Sequence, residues 1–181
     1  MKNFGKAFES DFKNACIEQG IDYTRLKDAG WQGESTVRRF TPRNICDCIL
    51  FHHSIIVFAE LKHRNNSLPF KDITQIEDLR KKWNPESGVF SGVVCCLKRE
   101  VFFISTVNID VMQSALGKKS FNADDANTYG LRVVPIVPKG KKKVRPHFLP
   151  VMHALIESRR NSVNSRNAQR TAANEEIGCA S

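Results

Sequence analysis

The chain has 181 residues, 41% of them apolar, and a formal charge of +9. That size and composition predict one folded soluble domain with a core of its own. No run approaches the ~20 apolar residues of a membrane span and no signal-peptide core follows Met1, which argues against a membrane or secreted protein and predicts a cytoplasmic one.

Phe4, Phe8, Phe12, Ala15 and Cys16 recur at helical spacing, and Gly20 closes the pattern as a C′ residue. An amphipathic first helix is therefore predicted over residues 3 to 19, with Glu9 at the edge of its apolar stripe. Ile21 to Leu26 reads as a short strand, and "WQGESTVRRFTP" after it as a polar turn region holding Arg38 and Arg39. Two β-rich segments follow, Ile45 to Phe51 and Ser54 to Lys62. Ser67 to Asp72 reads as a loop, and Thr74 as the cap of a helix through Lys82 with Ile76, Leu79 and Trp83 on its apolar side. Gly88–Leu97 and Val101–Ser105 predict a hairpin turning at Lys98-Arg99-Glu100. Val107–Leu116 reads as a helix, Leu131–Val137 as a last strand and Phe148–Arg160 as a closing helix. The order of elements predicts a single α/β or α+β domain over residues 1–160, built on a central mixed sheet flanked by helices. Residues 161–181, rich in Asn, Ala and Arg, predict a disordered tail.

The charge is uneven. From Lys139 onward nine basic residues face three acids, so this stretch holds +6 of the +9. Such asymmetry favours a polyanionic partner, because each phosphate neutralised by Lys or Arg releases a condensed counterion. The six cysteines form one C-x-C and one C-C pair without C-x-x-C spacing. They read as small buried apolar side chains in a reducing compartment rather than as disulfides or zinc ligands.

The run "IIVFAELK" ends an apolar strand with Glu60 and Lys62, an acid and a base two residues apart. If His52-His53 forms a two-residue turn, opposed residues sum to 105, so Asp47 faces Phe58 and lies diagonal to Glu60. Alternation then puts Asp47, Phe58, Glu60 and Lys62 on one sheet face. One reading of the charged three is a surface ion-pair cluster. The other is a Mg²⁺ site (Mn²⁺ as the alternative) for phosphodiester hydrolysis. There Asp47, Glu60 and the Leu61 carbonyl supply hard oxygen ligands, and Lys62 positions the attacking water or stabilises developing charge.

Asp47 followed by "ELK" resembles the PD-(D/E)XK nuclease superfamily, whose core is restriction-endonuclease-like. The longer run "ELKHRNNSLPFKDITQIEDL" resembles the RecU family of Holliday junction resolvases, found in Gram-positive bacteria and their phages. "NFGKAFES" and "RPHFLPVMHAL" add weaker similarity, and together these pieces span about half the chain. The resemblance implies that Asp47 and Glu60 are metal ligands and Lys62 the catalytic lysine, with Glu9 completing the acidic cluster and Gln75 approaching from the helix after the sheet. It also implies a cellular or phage enzyme acting in a bacterial cytoplasm, and a homodimer whose two sites cut a four-way junction symmetrically. Three features depart from the family: the Pro69–Gln75 spacing is short, the stalk before Asp47 is reduced to "GESTVRRFTPRNIC", and Cys46 precedes Asp47 where a proline is common.

Other candidates are secondary. "PKGKKKVRP" carries Lys139, Lys141, Lys142, Lys143 and Arg145, and reads as a phosphate clamp giving affinity without sequence reading. Arg38 and Arg39 are placed to touch the strand being cut. His63 neighbours Lys62 and is a weaker phosphate candidate, whereas His52 and His53 read as turn residues. Trp31 is a candidate for base stacking, and Trp83 reads as packing. Two alternatives stay open: a PD-(D/E)XK nuclease acting on flaps, ends or a specific sequence, and a non-catalytic basic DNA-binding protein.

Overall fold

The computed structural model describes residues 4–26, 44–73, 75–136 and 145–178, with side chains followed to Gln169. Helix α1 (Phe4–Glu18) leads into strands β1 (Asp22–Arg25), β2 (Cys48–His52), β3 (Ile55–Arg64) and the short β4 (Ser67–Pro69). A 3-10 turn (Phe70–Asp72) and α2 (Ile76–Arg80) precede β5 (Val89–Leu97) and β6 (Glu100–Ser105). Then come α3 (Thr106–Leu116), β7 (Ser120–Asn122), α4 (Ala123–Tyr129), β8 (Leu131–Val133), β9 (Pro135–Ile136), β10 (Arg145–Pro146) and α5 (Leu149–Gly178).

Six strands form the central sheet in the order β1-β2-β3-β5-β6-β8. All neighbours run antiparallel except β3 and β5, which are parallel. A parallel pair needs a crossover, and the β4–α2 segment supplies it. Alternation along β3 divides the core in two. Ile55, Val57, Ala59 and Leu61 join Phe8, Phe12 and Cys16 of α1 and Val151, Met152 and Leu155 of α5 on one face. Val93, Cys95 and Leu97 of β5 point the other way, into a second cluster with Ile109 and Met112 of α3 and Ala123 and Ala126 of α4. The result is a mixed sheet with helices on both faces, as the sequence predicts. Among the described residues no helix is long and apolar enough to cross a membrane.

Helix α1 forms for the expected reason and stops where Gly20 takes φ +70°, a conformation that costs other residues a Cβ clash. Phe12, fully buried, meets Phe148 edge-on at 5.1 Å. Trp83 packs edge-on against Phe90 at 5.3 Å, in line with its reading as a packing residue. The five described cysteines are buried and free, and burial raises their thiols, Cys46 to about 12.

Three local features differ from the sequence expectation. Ser67–Pro69 is a strand rather than a loop, because it pairs with β7, a partner more than fifty residues away in the chain that local patterning does not reveal. Helix α4 was signalled only by a capping box: the Asn122 side chain accepts from the N–H of Asp124 and Asp125, and Asp125 accepts from Asn122 N–H. Finally, α5 does not stop at Arg160 but continues to Gly178, through the stretch expected to be disordered. Residues 161–177 contain neither Gly nor Pro, and Ala, Arg, Gln and Glu favour helix without an apolar face. Arg159 donates to the Ser54 carbonyl at 3.1 Å and Arg166 pairs with Glu86, tying the helix back to the domain.

Gly92 in β5 is a sensitive point of this fold. A Cβ there would sit 2.4 Å from the Ile104 carbonyl oxygen and 2.8 Å from the Phe103 ring. Gly92→Ala is expected to cost about 1–3 kcal/mol, which thermal unfolding would read as a fall of roughly 2–12 °C in Tm.

Candidate active site

Asp47, Glu60 and Lys62 do come together, through a hairpin register two residues from the predicted one. The ladder pairs Cys48 with Ala59 and His52 with Ile55, so opposed residues sum to 107 and the turn is His53-Ser54. The physical reason is that His52 stays extended, its ring against the Gly20 carbonyl at 3.4 Å, while His53 takes φ +50°. Asp47 lies at a bend just before the ladder begins, and its carboxylate reaches Leu61 N–H at 2.8 Å, which brings it beside Glu60. A shift of two preserves the alternation along the paired strands, and Glu60 and Lys62 share a face of β3. In the parallel pairing Glu60 lies level with Val93 and Lys62 with Cys95, the face that α3 and α4 cover further along the sheet.

The backbone around Asp47 explains its fixed position. Its N–H donates to Ala59 O at 3.1 Å and its carbonyl accepts from Leu26 N–H at 3.0 Å. One carboxylate oxygen accepts from Leu61 N–H at 2.8 Å, taking the place of the ladder partner that β2 no longer provides. A residue's N–H and C=O point to the same side of an extended strand, so the Leu61 carbonyl faces the Asp47 edge as well.

Glu60 is the unusual member. Its side chain is 1% exposed, and Lys62 Nζ lies 2.5 Å from its Oε1. Burial lifts the Glu60 carboxyl to about 7; the bond from Lys62 pulls it down, and the charge of Asp47 pushes it further up. Two carboxylates thus face one ammonium in a dry corner of the sheet. A hard divalent cation would relieve this imbalance, and the oxygens of Asp47, Glu60 and Leu61 are the donors it prefers, so these residues fit Mg²⁺ or Mn²⁺. Lys62 remains 20% exposed, and it and the half-buried Asp47 are the members of the set that reach toward solvent.

The remaining predicted site residues are placed as follows. Glu9 pairs with Arg25 of β1 at 2.9 Å, one strand beyond β2. Among the described residues no three His, Cys, Asp or Glu side chains gather closely enough to hold a metal, so Glu9 does not close a cluster with Asp47 and Glu60 here. Arg25 was not singled out from the sequence, and only its place at the end of β1, level with Cys48, marks it. Gln75 stands at the N-terminus of α2, its carbonyl accepting from Leu79 N–H at 3.0 Å. Its neighbours Ile73 and Ile76 pack on the face that carries Glu60 and Lys62. His63 sits against α1, with ring centroids 6.1 Å from both Phe4 and Phe8.

The predicted phosphate clamp loses one member. Arg145 is largely buried and bonded to α1, 2.9 Å from Asp11 and 3.7 Å from Glu18, so it ties β10 to the first helix. Two acids on the exposed side of α1 create this demand, and no local pattern around Arg145 announces it. Lys139, Lys141, Lys142 and Lys143, like Arg38, Arg39, Trp31 and Thr74, lie outside the described residues.

No family model and no curated protein matches the chain. Among solved structures it is similar to Hjc of the archaeal hyperthermophile Archaeoglobus fulgidus, described as a Holliday junction resolvase. The two are 20% identical with a TM-score of 0.50, over 71% of this chain and 95% of that one. At this identity the likeness concerns the fold: the mixed sheet with flanking helices is shared.

Proposed function

We propose that the chain is a divalent-metal-dependent DNA endonuclease that resolves four-way junctions by paired nicks. The observation that carries this reading is the approach of the Asp47 carboxylate, bonded to Leu61 N–H, to the buried Glu60, with Lys62 bonded to Glu60. The fold shared with a junction resolvase, the RecU-like run after Glu60 and the net charge of +9 support it. Asp47, Glu60 and the Leu61 carbonyl would hold Mg²⁺ or Mn²⁺, which supplies Lewis acidity to the scissile phosphate. Lys62 donates a hydrogen bond to a phosphate oxygen beside Glu60 and balances charge that develops there. The buried strand residues Val57, Ala59 and Leu61 fix the backbone that carries these groups, so little reorganisation is required during reaction. Glu9, paired with Arg25 in this structure, would join the acidic set only on leaving that pair. Gln75 would approach from α2, and a homodimer would supply the second site for the second nick.

The test compares nicking of a synthetic four-way junction, an unbranched duplex and a single strand, each with and without Mg²⁺. Cutting of the junction in preference to the others, only with the cation, is expected. Tight junction binding without cutting under any divalent cation would favour a non-catalytic DNA-binding protein. Preferential cutting of flaps or ends would favour another PD-(D/E)XK activity.

A separate outcome concerns the metal itself. Mg²⁺ is expected to raise the Tm of the wild-type protein, since a ligand of the native state adds RT ln(1 + [L]/Kd) to stability. The rise should be larger at pH 8 than at pH 6, because a cation competes with the proton that Glu60 retains up to about pH 7. Differential scanning fluorimetry of wild type and Asp47→Asn checks this, and an equal shift in both would reject Asp47 as a ligand.

A further inference from the structure

Strict alternation does not aim Asp47 at Glu60; a local distortion of the strand does. Both Asp47 and Cys48 sit opposite Ala59: Cys48 is its ladder partner, and Asp47 N–H donates to the Ala59 carbonyl at 3.1 Å. Two residues against one is the arrangement of a β-bulge, which ends regular pairing and redirects a side chain. Beyond it the Asp47 carboxylate turns to Leu61 N–H at 2.8 Å. A bulge at the entry to a strand is soft unless its torsions are held.

Cys46 supplies the hold. Its thiol donates across Asp47 to the Cys48 carbonyl, with sulfur and oxygen 3.2 Å apart. The ring that this bond closes contains both backbone torsions of Asp47, the pair that decides where its Cβ points. Burial lifts the thiol to about 12 against the pull of the Ala59 backbone, and the charges of Asp47 and Glu60 push the same way as burial. The S–H donor is therefore present at neutral pH.

Packing does not account for the residue. Cys46 is fully buried, yet of the five described cysteines it is the one that belongs to neither apolar cluster. Cys16, Cys48 and Cys96 join the cluster with α1 and α5, and Cys95 the one with α3 and α4. The acids that Cys46 feels are Asp47 and Glu60, so it borders the candidate site and not the core.

We infer that Cys46 is a positioning residue: its thiol latches the bulge that aims the Asp47 carboxylate beside Glu60, and so sets the two acids for a divalent cation. The part played for the cation rests on the metal-dependent reading above and deepens it, whereas the latch itself stands on the bond across Asp47. Cys46 touches neither metal nor substrate. Its effect passes through Asp47, as groups behind a metal ligand tune affinity by fixing the ligand's orientation.

Cys46→Ala and Cys46→Ser differ by a donor at nearly equal size, so the pair separates the bond from the packing. Cys46→Ala is expected to bind Mg²⁺ roughly three- to tenfold more weakly at pH 8, read from the dependence of Tm on Mg²⁺ concentration. Its Leu61 amide should exchange with solvent roughly three- to tenfold faster relative to the Val57 amide, because the Asp47 carboxylate is no longer held against it. This ratio is blind to a uniform loss of stability, which speeds both exchanges alike. Cys46→Ser should restore both readouts to within about twofold of wild type, since a hydroxyl donates in the same place. Unchanged Mg²⁺ binding and Leu61 exchange in Cys46→Ala would overturn the inference. Equal losses in Cys46→Ala and Cys46→Ser would overturn it as well, since packing alone would then be at stake. Should Cys46→Ala fail to fold, Cys46→Val, which fills the volume without a donor, takes its place in both comparisons. A wild type that neither nicks a junction nor gains stability from Mg²⁺ removes the metal reading, and the Leu61 exchange ratio then decides on the latch alone.

Discussion

Asp47→Asn is expected to nick a four-way junction at least ~10²–10³-fold more slowly than wild type, while its junction affinity stays within about threefold, since phosphate contacts dominate binding. The substitution suits the purpose because of what Asp47 does for the fold. Its carboxylate accepts from Leu61 N–H at 2.8 Å, and an asparagine carbonyl oxygen in the same place accepts equally well. The strand geometry at Leu61 is therefore preserved, and what disappears is one negative charge facing the charge of Glu60. Loss of that charge removes the reason for a cation to bind. Asp47→Ala would be less informative, because it would also leave a backbone N–H without its partner. Retained cutting by Asp47→Asn would show that the metal ligands lie elsewhere.

Much of this site could be read from the sequence because its logic is local. Alternation along one hairpin puts Glu60 and Lys62 on a common face and Asp47 near them, although a bend at Asp47 and its bond to Leu61 N–H, not strict alternation, place the second acid. An error of two residues in the register kept the three together. An error of one would have reversed it, since every side chain would have changed face. The apolar strands β3, β5 and β6 and the stripe of α1 were equally legible, each carrying its own period. What the sequence concealed depends on contacts between distant segments. The β4–β7 pair, the anchoring of Arg145 by Asp11 and Glu18, and the Glu9–Arg25 pair each join residues whose nearest neighbours in the chain say nothing of the partner. A basic residue in a basic run was read as one more phosphate contact, yet a nearly buried guanidinium needs carboxylates, and α1 provides them. Helix α5 was missed past Arg160 for another reason: a polar composition argues against a core but does not argue against a helix tied back by Arg159 and Arg166.

Glu60→Gln is expected to abolish nicking to a similar degree and, in metal-free buffer above pH 7, to make the protein more stable. Burial pushes the Glu60 carboxyl of the folded chain up to about 7 from an ordinary value of 4.5. A raised folded-state value means that the native protein binds the proton more tightly than the unfolded chain does. The stability this contributes is fully present below about pH 4.5 and is lost as the pH rises through about 7. At pH 8 the wild type must therefore hold an ionised, buried Glu60 beside Asp47, at a cost on the order of 1–3 kcal/mol after allowance for the Lys62 bond. Glutamine carries no charge and removes this cost at every pH. The Tm of Glu60→Gln should exceed that of wild type by roughly 2–10 °C at pH 8 in EDTA, and the difference should shrink toward pH 5, where wild-type Glu60 is protonated. Adding Mg²⁺ should reverse the order, because only the wild type gains a ligand. A residue that weakens the resting fold at the pH where it is charged, and is repaid only when a cation arrives, is one held for chemistry and not for packing. Equal melting of the two proteins at pH 8 without metal would mean that Lys62 fully satisfies Glu60, and the acid–base pair would then be a buried salt bridge with no unmet charge to offer a cation.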